Sequence, residues 1–278
     1  MTKNILHKSA VALAVALGIA MTAQTVKATT IQDLTGGGAW TDSQGATFRT
    51  TVWQPTGTGV FDPFVRLDQK GNHTYEAGYN TSLGTPLDVL GNSWHKDLLL
   101  TDLKPQTVNG VDCFLFRLDL NQSAAASEIT LNQVEIFQSA APAPTTGVGM
   151  DKKTGRATNP SLLGERLAYD MNSDASPEAR IANAVKLDFD LNKGGSGKGD
   201  MQLYVPTTLF DPSMKYIVFY SQFGLGPIEL GTETNDGFEE WASYNFAPVP
   251  EPTTVIAGAL LLIPFGFTTL RALRSRKV

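Results

Sequence analysis

Cysteine and histidine are scarce in this 278-residue sequence, which contains one cysteine and three histidines. The single cysteine, Cys113, cannot form an intramolecular disulfide, and its place in the apolar run Val111–Leu120 predicts a buried, unreactive thiol. His73 and His95 lie outside the N-terminal segment, and no His-x-x-x-His or Cys-x-x-Cys spacing of a zinc site occurs. A Gly-x-Ser-x-Gly elbow is also absent, so the sequence does not support zinc chemistry or serine hydrolysis.

Basic residues are also few in comparison with acidic residues. The chain has 22 Lys and Arg, of which three lie in residues 1–28 and four in residues 271–278, so 15 remain between them. It has 27 Asp and Glu, and all except Glu251 lie within residues 29–250, which gives that region 26 acids and a net charge of −11. Because an acidic surface repels a phosphate backbone, we expect no nucleic-acid partner.

The N-terminal residues have the three parts of a secretory signal peptide. Two lysines and a histidine among the first residues form a basic region, and residues 10–20 form an apolar core. Small residues follow at Ala23 and Ala28, where cleavage is favoured. We expect cleavage after Ala28, with Ala23 as the alternative, so residues 1–28 are assigned as a signal peptide read by the secretion machinery.

The C-terminal residues also contain three parts in order. Pro250, Glu251 and Pro252 come first, and the uncharged stretch 253–270 follows. This stretch has 18 residues, just enough for one helix to cross a hydrocarbon core of about 30 Å. The tail 271–278 carries four cations: Arg271, Arg274, Arg276 and Lys277. Positive charge beside a membrane span favours the cytoplasmic side, which places the rest of the chain outside.

This layout resembles the PEP-CTERM sorting signal of exported proteins of Gram-negative bacteria, and the resemblance covers residues 248–278. It implies that an exosortase recognises the motif 250–252 and cuts near it. The chain would then occupy the inner membrane transiently and reach the outer cell surface or the extracellular matrix. An ordinary C-terminal anchor that is never cut is the alternative.

Alternating apolar and polar residues predict eight or nine short strands and little helix between the two ends. The pattern changes phase at Asn132–Gln133, which predicts a bulge or a strand break there. The turn-rich segment 69–91 is predicted to be a loop. Strands are expected at 48–53, 64–68, 114–120, 129–131, 134–136, 167–171, 185–191, 201–205 and 216–222, and the clearest of them lie in the middle of the chain, from 114 to 136.

This pattern predicts an all-β ectodomain over residues 29–247, an antiparallel β-sandwich of jelly-roll-like architecture. Residues 139–159 are rich in Ala, Pro, Thr and Gly and form either a long loop or a linker between two domains. We favour one domain, because neither half alone has enough strands for two covered sheets.

One metal hypothesis arises from the residues. Asp188, Asp190 and Asn192 resemble the start of a calcium-binding loop, but the glycine and carboxylate required later in such a loop are missing, and Asp200 stands one position late. Calcium held by these four residues is therefore one interpretation. A strand with a solvated polar face is the other, and no other cofactor is indicated.

Two further segments suggest chemistry without establishing it. The glycines and lysine of 194–199 lack the spacing of a phosphate-binding loop and fit a flexible hairpin. Glu239 and Glu240 are adjacent, so on a strand they point to opposite faces and cannot form a glycosidase pair by themselves. The sequence identifies no distant partner for either of them.

Aromatic residues are the candidates for ligand contact. Most are expected in the core, because each buries a large area. Tyr79 and Trp94 fall in turn-rich segments and are predicted to be exposed rings that stack on sugars. Segments 61–68, 76–81 and 236–241 are similar to parts of other PEP-CTERM proteins, which implies an association with exopolysaccharide.

Taken with the targeting ends, these features predict a non-enzymatic surface or matrix protein with a structural or binding role. The alternatives are a secreted carbohydrate-active enzyme and a permanently anchored ectodomain.

Overall fold

The structure, a computed structural model, describes residues 30–50, 61–71, 73–91, 95–175, 183–192, 199–224, 232–235 and 237–243. Within these residues the chain is mostly β, with two sheets in which all strand pairs except one are antiparallel. The described helices are 3₁₀ turns of three or four residues. None of the described helices is long and apolar enough to cross a membrane, and the predicted span 253–270 lies outside the described residues.

The first sheet has seven strands, ordered β1-β11-β9-β13-β5, and β10 and β6 pair with β9 and β13. β1 runs parallel to β11, and the other neighbours are antiparallel. Its strands are β1 (Thr30–Asp33), β5 (Tyr75–Tyr79), β6 (Leu98–Leu99), β9 (Glu128–Ser139), β10 (Arg166–Asp170), β11 (Asn183–Asp188) and β13 (Tyr216–Gly224).

The second sheet also has seven strands, ordered β2-β3-β12-β8-β14-β4, with β7 paired to β8. All of its pairs are antiparallel. Its strands are β2 (Gly38–Thr41), β3 (Thr47–Thr50), β4 (Pro63–Leu67), β7 (Gln106–Val108), β8 (Val111–Asp119), β12 (Met201–Pro206) and β14 (Glu239–Ser243).

The two sheets enclose one main hydrophobic core. Phe116 and Leu118 of β8 are fully buried in it, on one face of the strand, as the alternating pattern predicts. Phe219 of the first sheet contacts Trp241 of the second, with ring centroids 4.7 Å apart, and Phe64 at 5.5 Å. These contacts between rings from opposite sheets show that the inner faces pack directly on each other.

The predicted bulge in β9 is confirmed. Gln133 pairs with Gln222 of β13, and the next pair joins Leu131 to Phe223, so Asn132 is an extra residue on β9. The bulge restores the phase of the strand, because Leu131 and Val134 both face the core although they are three positions apart.

The segment 140–165 covers the outer face of the first sheet. Ala143, Val148 and Leu163 of this segment pack against Tyr79 and Tyr220 of the sheet in a second, smaller core. Because strands before and after residues 139–159 pair with each other in both sheets, this segment is a long loop within one sheet pair.

Two local expectations were wrong. Residues 69–91 include strand β5, because backbone pairing with β13 overrides their turn-rich composition. The strand predicted over 185–191 ends at Asp188, and a 3₁₀ turn occupies Phe189–Asn192.

Candidate functional site: a buried carboxyl pair between the sheets

Several predicted site residues lie outside the described residues. These are Trp94, the sorting motif (Pro250, Glu251 and Pro252) and the basic tail (Arg271, Arg274, Arg276 and Lys277). Their assignment therefore stays a prediction from the sequence.

The prediction that Tyr79 is an exposed stacking ring is wrong. Its side chain is fully buried in the smaller core, and its hydroxyl donates to the carbonyl of Pro144 at 2.5 Å. The loop that covers the first sheet is the cause, since it removes this face of β5 from solvent.

Two of the four residues of the predicted calcium loop, Asp188 and Asp200, make separate local contacts. Oδ1 of Asp188 accepts the N–H of Asp190 at 2.9 Å, which forms a local turn. Asp200 is buried before β12, where its Oδ2 accepts the N–H of Leu120 at 2.7 Å. The side chain of Asn192 is outside the described set. In the described part of the chain, no three His, Cys, Asp or Glu side chains form a group that could hold a metal.

The thiol of Cys113 is buried and free, as predicted. Burial raises its pKa, and the charge of Asp112 raises it further. A thiol with a raised pKa is a poor nucleophile.

Nδ1 of His95 is hydrogen-bonded to the carbonyl of Thr81 at 2.7 Å, which gives this histidine a structural contact.

The structure brings together two glutamates that the sequence did not connect. Glu76 pairs in register with Phe223, which faces the core, so Glu76 also points from the first sheet toward the second. Glu239 lies two positions before the core residue Trp241 and points from the second sheet toward the first. Both are about 1% exposed, and their carboxyl groups are hydrogen-bonded to each other.

The neighbour Glu240 faces the other way, as the strand geometry predicted. It forms an ion pair with Arg66 on the outer face of the second sheet. The Arg66 guanidinium also lies 3.8 Å from the centre of the Phe238 ring. Only Glu239 of the two adjacent acids therefore belongs to the site between the sheets.

Burial is the main reason that both site carboxyls hold protons more tightly than usual. It raises the pKa of Glu76 well above its ordinary value, and the neighbouring charge of Glu239 adds to the effect. It raises the pKa of Glu239 to about 7, although hydrogen bonds from Glu76, the Gln122 side chain and the Asn121 backbone oppose the shift. Burial therefore favours the protonated form of both carboxyl groups, and the charge of Glu239 favours it further for Glu76.

A polar cavity of about 170 Å³ opens onto this pair. Among the described residues, no hydrogen-bond partner reaches the buried Oε1 of Glu76. Thr234 is buried at the wall and donates its hydroxyl to Oε1 of Gln69 at 3.2 Å. The lining consists of Asp68, Gln69, Gly71, Glu76, Thr234, Gly237 and Glu239.

Gly237 gives the cavity its shape. Its φ is +72°, which favours glycine, and a Cβ there would collide with the backbone carbonyl and side chain of Asn121. This close approach places Asn121 and Gln122 beside Glu239, where both donate hydrogen bonds to its carboxyl group.

The spacing of the carboxyl pair limits its chemistry. Retaining and inverting glycosidases hold their carboxyls about 5 Å and about 6.5–9.5 Å apart, with the sugar or a water between them. Two carboxyls that share a hydrogen bond are closer than either arrangement. The pair is therefore suited to holding a proton or a cation rather than to flanking a glycosidic bond.

A second buried acidic group lies under the covering loop. Glu135 accepts the N–H of Ala157 at 2.9 Å, and Asp170 forms an ion pair with Arg156 at 2.8 Å. Asp170 also accepts hydrogen bonds from Gln133 and Asn172. These contacts attach the loop to the first sheet, so we assign this group a structural role.

A shallower groove of about 500 Å³ is lined partly by Glu128, Asp188 and Glu233. Lys186 forms an ion pair with Glu128 at 2.6 Å. Of the predicted calcium loop, Asp188 is the member found among the described lining residues of this groove.

Comparison with protein-family models, curated protein sequences and solved structures found no match.

Proposed function

We propose that this chain is an exported structural or binding protein of the cell surface or extracellular matrix, and that an exosortase-type system processes it. The observation that carries the proposal is the ordered C-terminal layout of motif 250–252, apolar span 253–270 and basic tail 271–278. The N-terminal segment supports it, because a signal peptide sends the chain to the same compartment. Exopolysaccharide is the proposed partner, and nucleic acid is not one.

The ectodomain supports a binding or structural role rather than catalysis. The described residues form an antiparallel-rich, mostly β fold with two packed sheets, and we propose a jelly-roll-like sandwich as its finer class. The acid pair described between the sheets, Glu76 with Glu239, lacks the separation used by glycosidases. A secreted carbohydrate-active enzyme is accordingly the weaker candidate.

The sorting motif provides the test. In the organism that encodes the chain, replacing Pro250, Glu251 and Pro252 together with alanine is expected to leave the protein in the inner membrane, because the processing enzyme no longer recognises it. The wild-type chain is expected at the outer surface or in the medium. Immunoblotting of separated membrane, surface and medium fractions measures this distribution.

The matched control is Pro248→Ala, which removes a proline just outside the motif and should be sorted like the wild-type chain. Equal distribution of the motif variant and the wild-type chain would contradict the proposal and favour a permanent anchor.

A further inference from the structure

The carboxyl pair between the sheets forms a buried acidic site to which the described lining residues bring no positive charge. The cavity is lined by three acids (Asp68, Glu76 and Glu239) and by neutral groups, and no Lys, Arg or His is among its described lining residues. Glu76 and Glu239 are both about 1% exposed. Burial of carboxylates without a paired charge is strongly unfavourable, so such a site calls for a proton or an added cation.

The hydrogen bonds around the pair are unequal. Glu239 receives donors from the Gln122 side chain and the Asn121 backbone. No described residue donates to Oε1 of Glu76, although this atom is buried beside the cavity. An acceptor oxygen of this kind is rarely left without a partner in a folded protein. Because Oε1 of Glu76 borders the cavity, its position indicates that a ligand bound in the cavity supplies the missing contact.

We propose that the cavity between Glu76 and Glu239 binds one calcium ion. The two glutamates come from opposite sheets and supply the charged ligands. Gln69 and Thr234 offer neutral oxygens at the wall, and Asp68 adds negative charge at the mouth. Calcium takes six to eight oxygen ligands in flexible geometry and accepts water among them. The fold itself, rather than a contiguous loop, assembles this site.

The chemistry of the lining favours calcium over other metals. Zinc prefers Cys and His ligands, and neither is among the lining residues that the structure describes. Magnesium requires near-ideal octahedral geometry, whereas the oxygens here come from unrelated strands and loops. Because only two carboxylates approach each other closely, water must fill some positions. A cavity of about 170 Å³ has room for an ion with a few waters of about 30 Å³ each.

This site lies inside the ectodomain, so the proposal does not depend on whether the C-terminal tail is processed. Calcium would connect β5 of the first sheet to β14 of the second at one end of the sandwich. We therefore expect it to stabilise the folded state, since a ligand that binds only the folded state raises its stability.

The test uses the full-length chain in a non-ionic detergent, treated with a chelator and then titrated with calcium or magnesium to about 10 mM. Thermal unfolding should shift upward by about 3–10 °C with saturating calcium and clearly less with magnesium. Glu76→Gln and Glu239→Gln should each abolish most of the shift, because each keeps the side-chain shape and removes a charged ligand. Isothermal titration should give one calcium per wild-type chain.

Glu135→Gln is the matched control, because Glu135 is also a buried glutamate but lies on the other face of the first sheet. It should retain the calcium response. If a glutamine variant at the pair does not fold, Asp68→Asn at the partly exposed mouth serves instead and should weaken binding several-fold. No calcium response in the wild-type chain, an undiminished response in Glu76→Gln, or equal responses to magnesium and calcium would each overturn the assignment.

Discussion

Replacing Trp241 with alanine is expected to destabilise the folded chain by about 4 kcal/mol, the usual range for removing a large buried aromatic. Trp241 is fully buried, and its ring contacts Phe219 and Phe223 of the opposite sheet. Its Nε1–H donates to Oγ of Ser221 at 3.1 Å. The substitution therefore leaves a cavity between the sheets and also removes the donor to a buried hydroxyl.

Trp40→Ala is the control, because Trp40 is only partly buried and stacks on Phe48 at the side of the second sheet. We expect Trp40→Ala to lower the free energy of unfolding by about 1–2 kcal/mol. The loss of unfolding free energy for Trp241→Phe should lie between the losses for Trp241→Ala and Trp40→Ala, since phenylalanine restores most of the ring volume without the N–H donor. Urea unfolding of the three variants measures these differences. A smaller loss for Trp241→Ala than for Trp40→Ala would contradict the packing described above.

Replacing Glu135 with glutamine is expected to stabilise the protein at pH 8 by up to about 3 kcal/mol and to have little effect near pH 4.5. Burial raises the pKa of Glu135 from 4.5 to about 7, the charge of Asp170 adds to this, and the Ala157 N–H and Arg156 oppose it. Glutamine resembles the protonated carboxyl group in shape, so it should keep the hydrogen bond from Ala157.

The sign follows from where the proton is held. Between about pH 4.5 and 7 the folded state binds a proton at Glu135 that the unfolded state has lost. The stability that this proton provides is full below pH 4.5 and disappears as the pH rises to about 7. Unfolding free energies of both proteins should thus coincide at low pH and separate as the pH rises.

Glu128→Gln serves as the control for this pH experiment. Its side chain is 43% exposed and paired with Lys186, and an exposed ion pair contributes less than about 1 kcal/mol. A constant difference between Glu135→Gln and the wild-type chain across the pH range would show that Glu135 does not bind its proton more tightly when folded.

The parts of the fold that the sequence predicts well are those decided by local pattern. In the second half of β8, Phe116 and Leu118 alternate with Arg117 and Asp119, and the apolar residues face the core. The phase change at Asn132–Gln133 located the bulge in β9 for the same reason, because strand phase is visible in the order of residues alone.

Strand β5 could not be recognised in this way. It has five residues, includes Gly78 and lies among turn formers. Its strand conformation depends on pairing with β13, which is far away in the sequence. Glycine is required at position 78 of β5, because a Cβ there would collide with Leu67 and Val89. The error at Tyr79 has a similar origin, since the composition of residues 139–159 predicts a long loop or a linker but does not show which strand it covers.

The carboxyl pair was hidden for a related reason. The sequence identifies no partner for Glu239, and Glu76 lies in a segment whose composition predicts a loop. Only the packing of the two sheets brings β5 and β14 face to face at this point. Two isolated glutamates on separate strands carry no shared spacing, so no motif could have connected them.

The measurement that tests the central proposal most directly is the intact mass of the protein recovered from the organism that encodes it, with membrane and extracellular fractions measured separately. Export and sorting predict an extracellular species that has lost residues 1–28 and everything beyond about Pro250, and any excess mass would identify a transferred group. A species found only in the membrane fraction that still carries Arg271 to Val278 would contradict the proposal and establish a permanently anchored ectodomain.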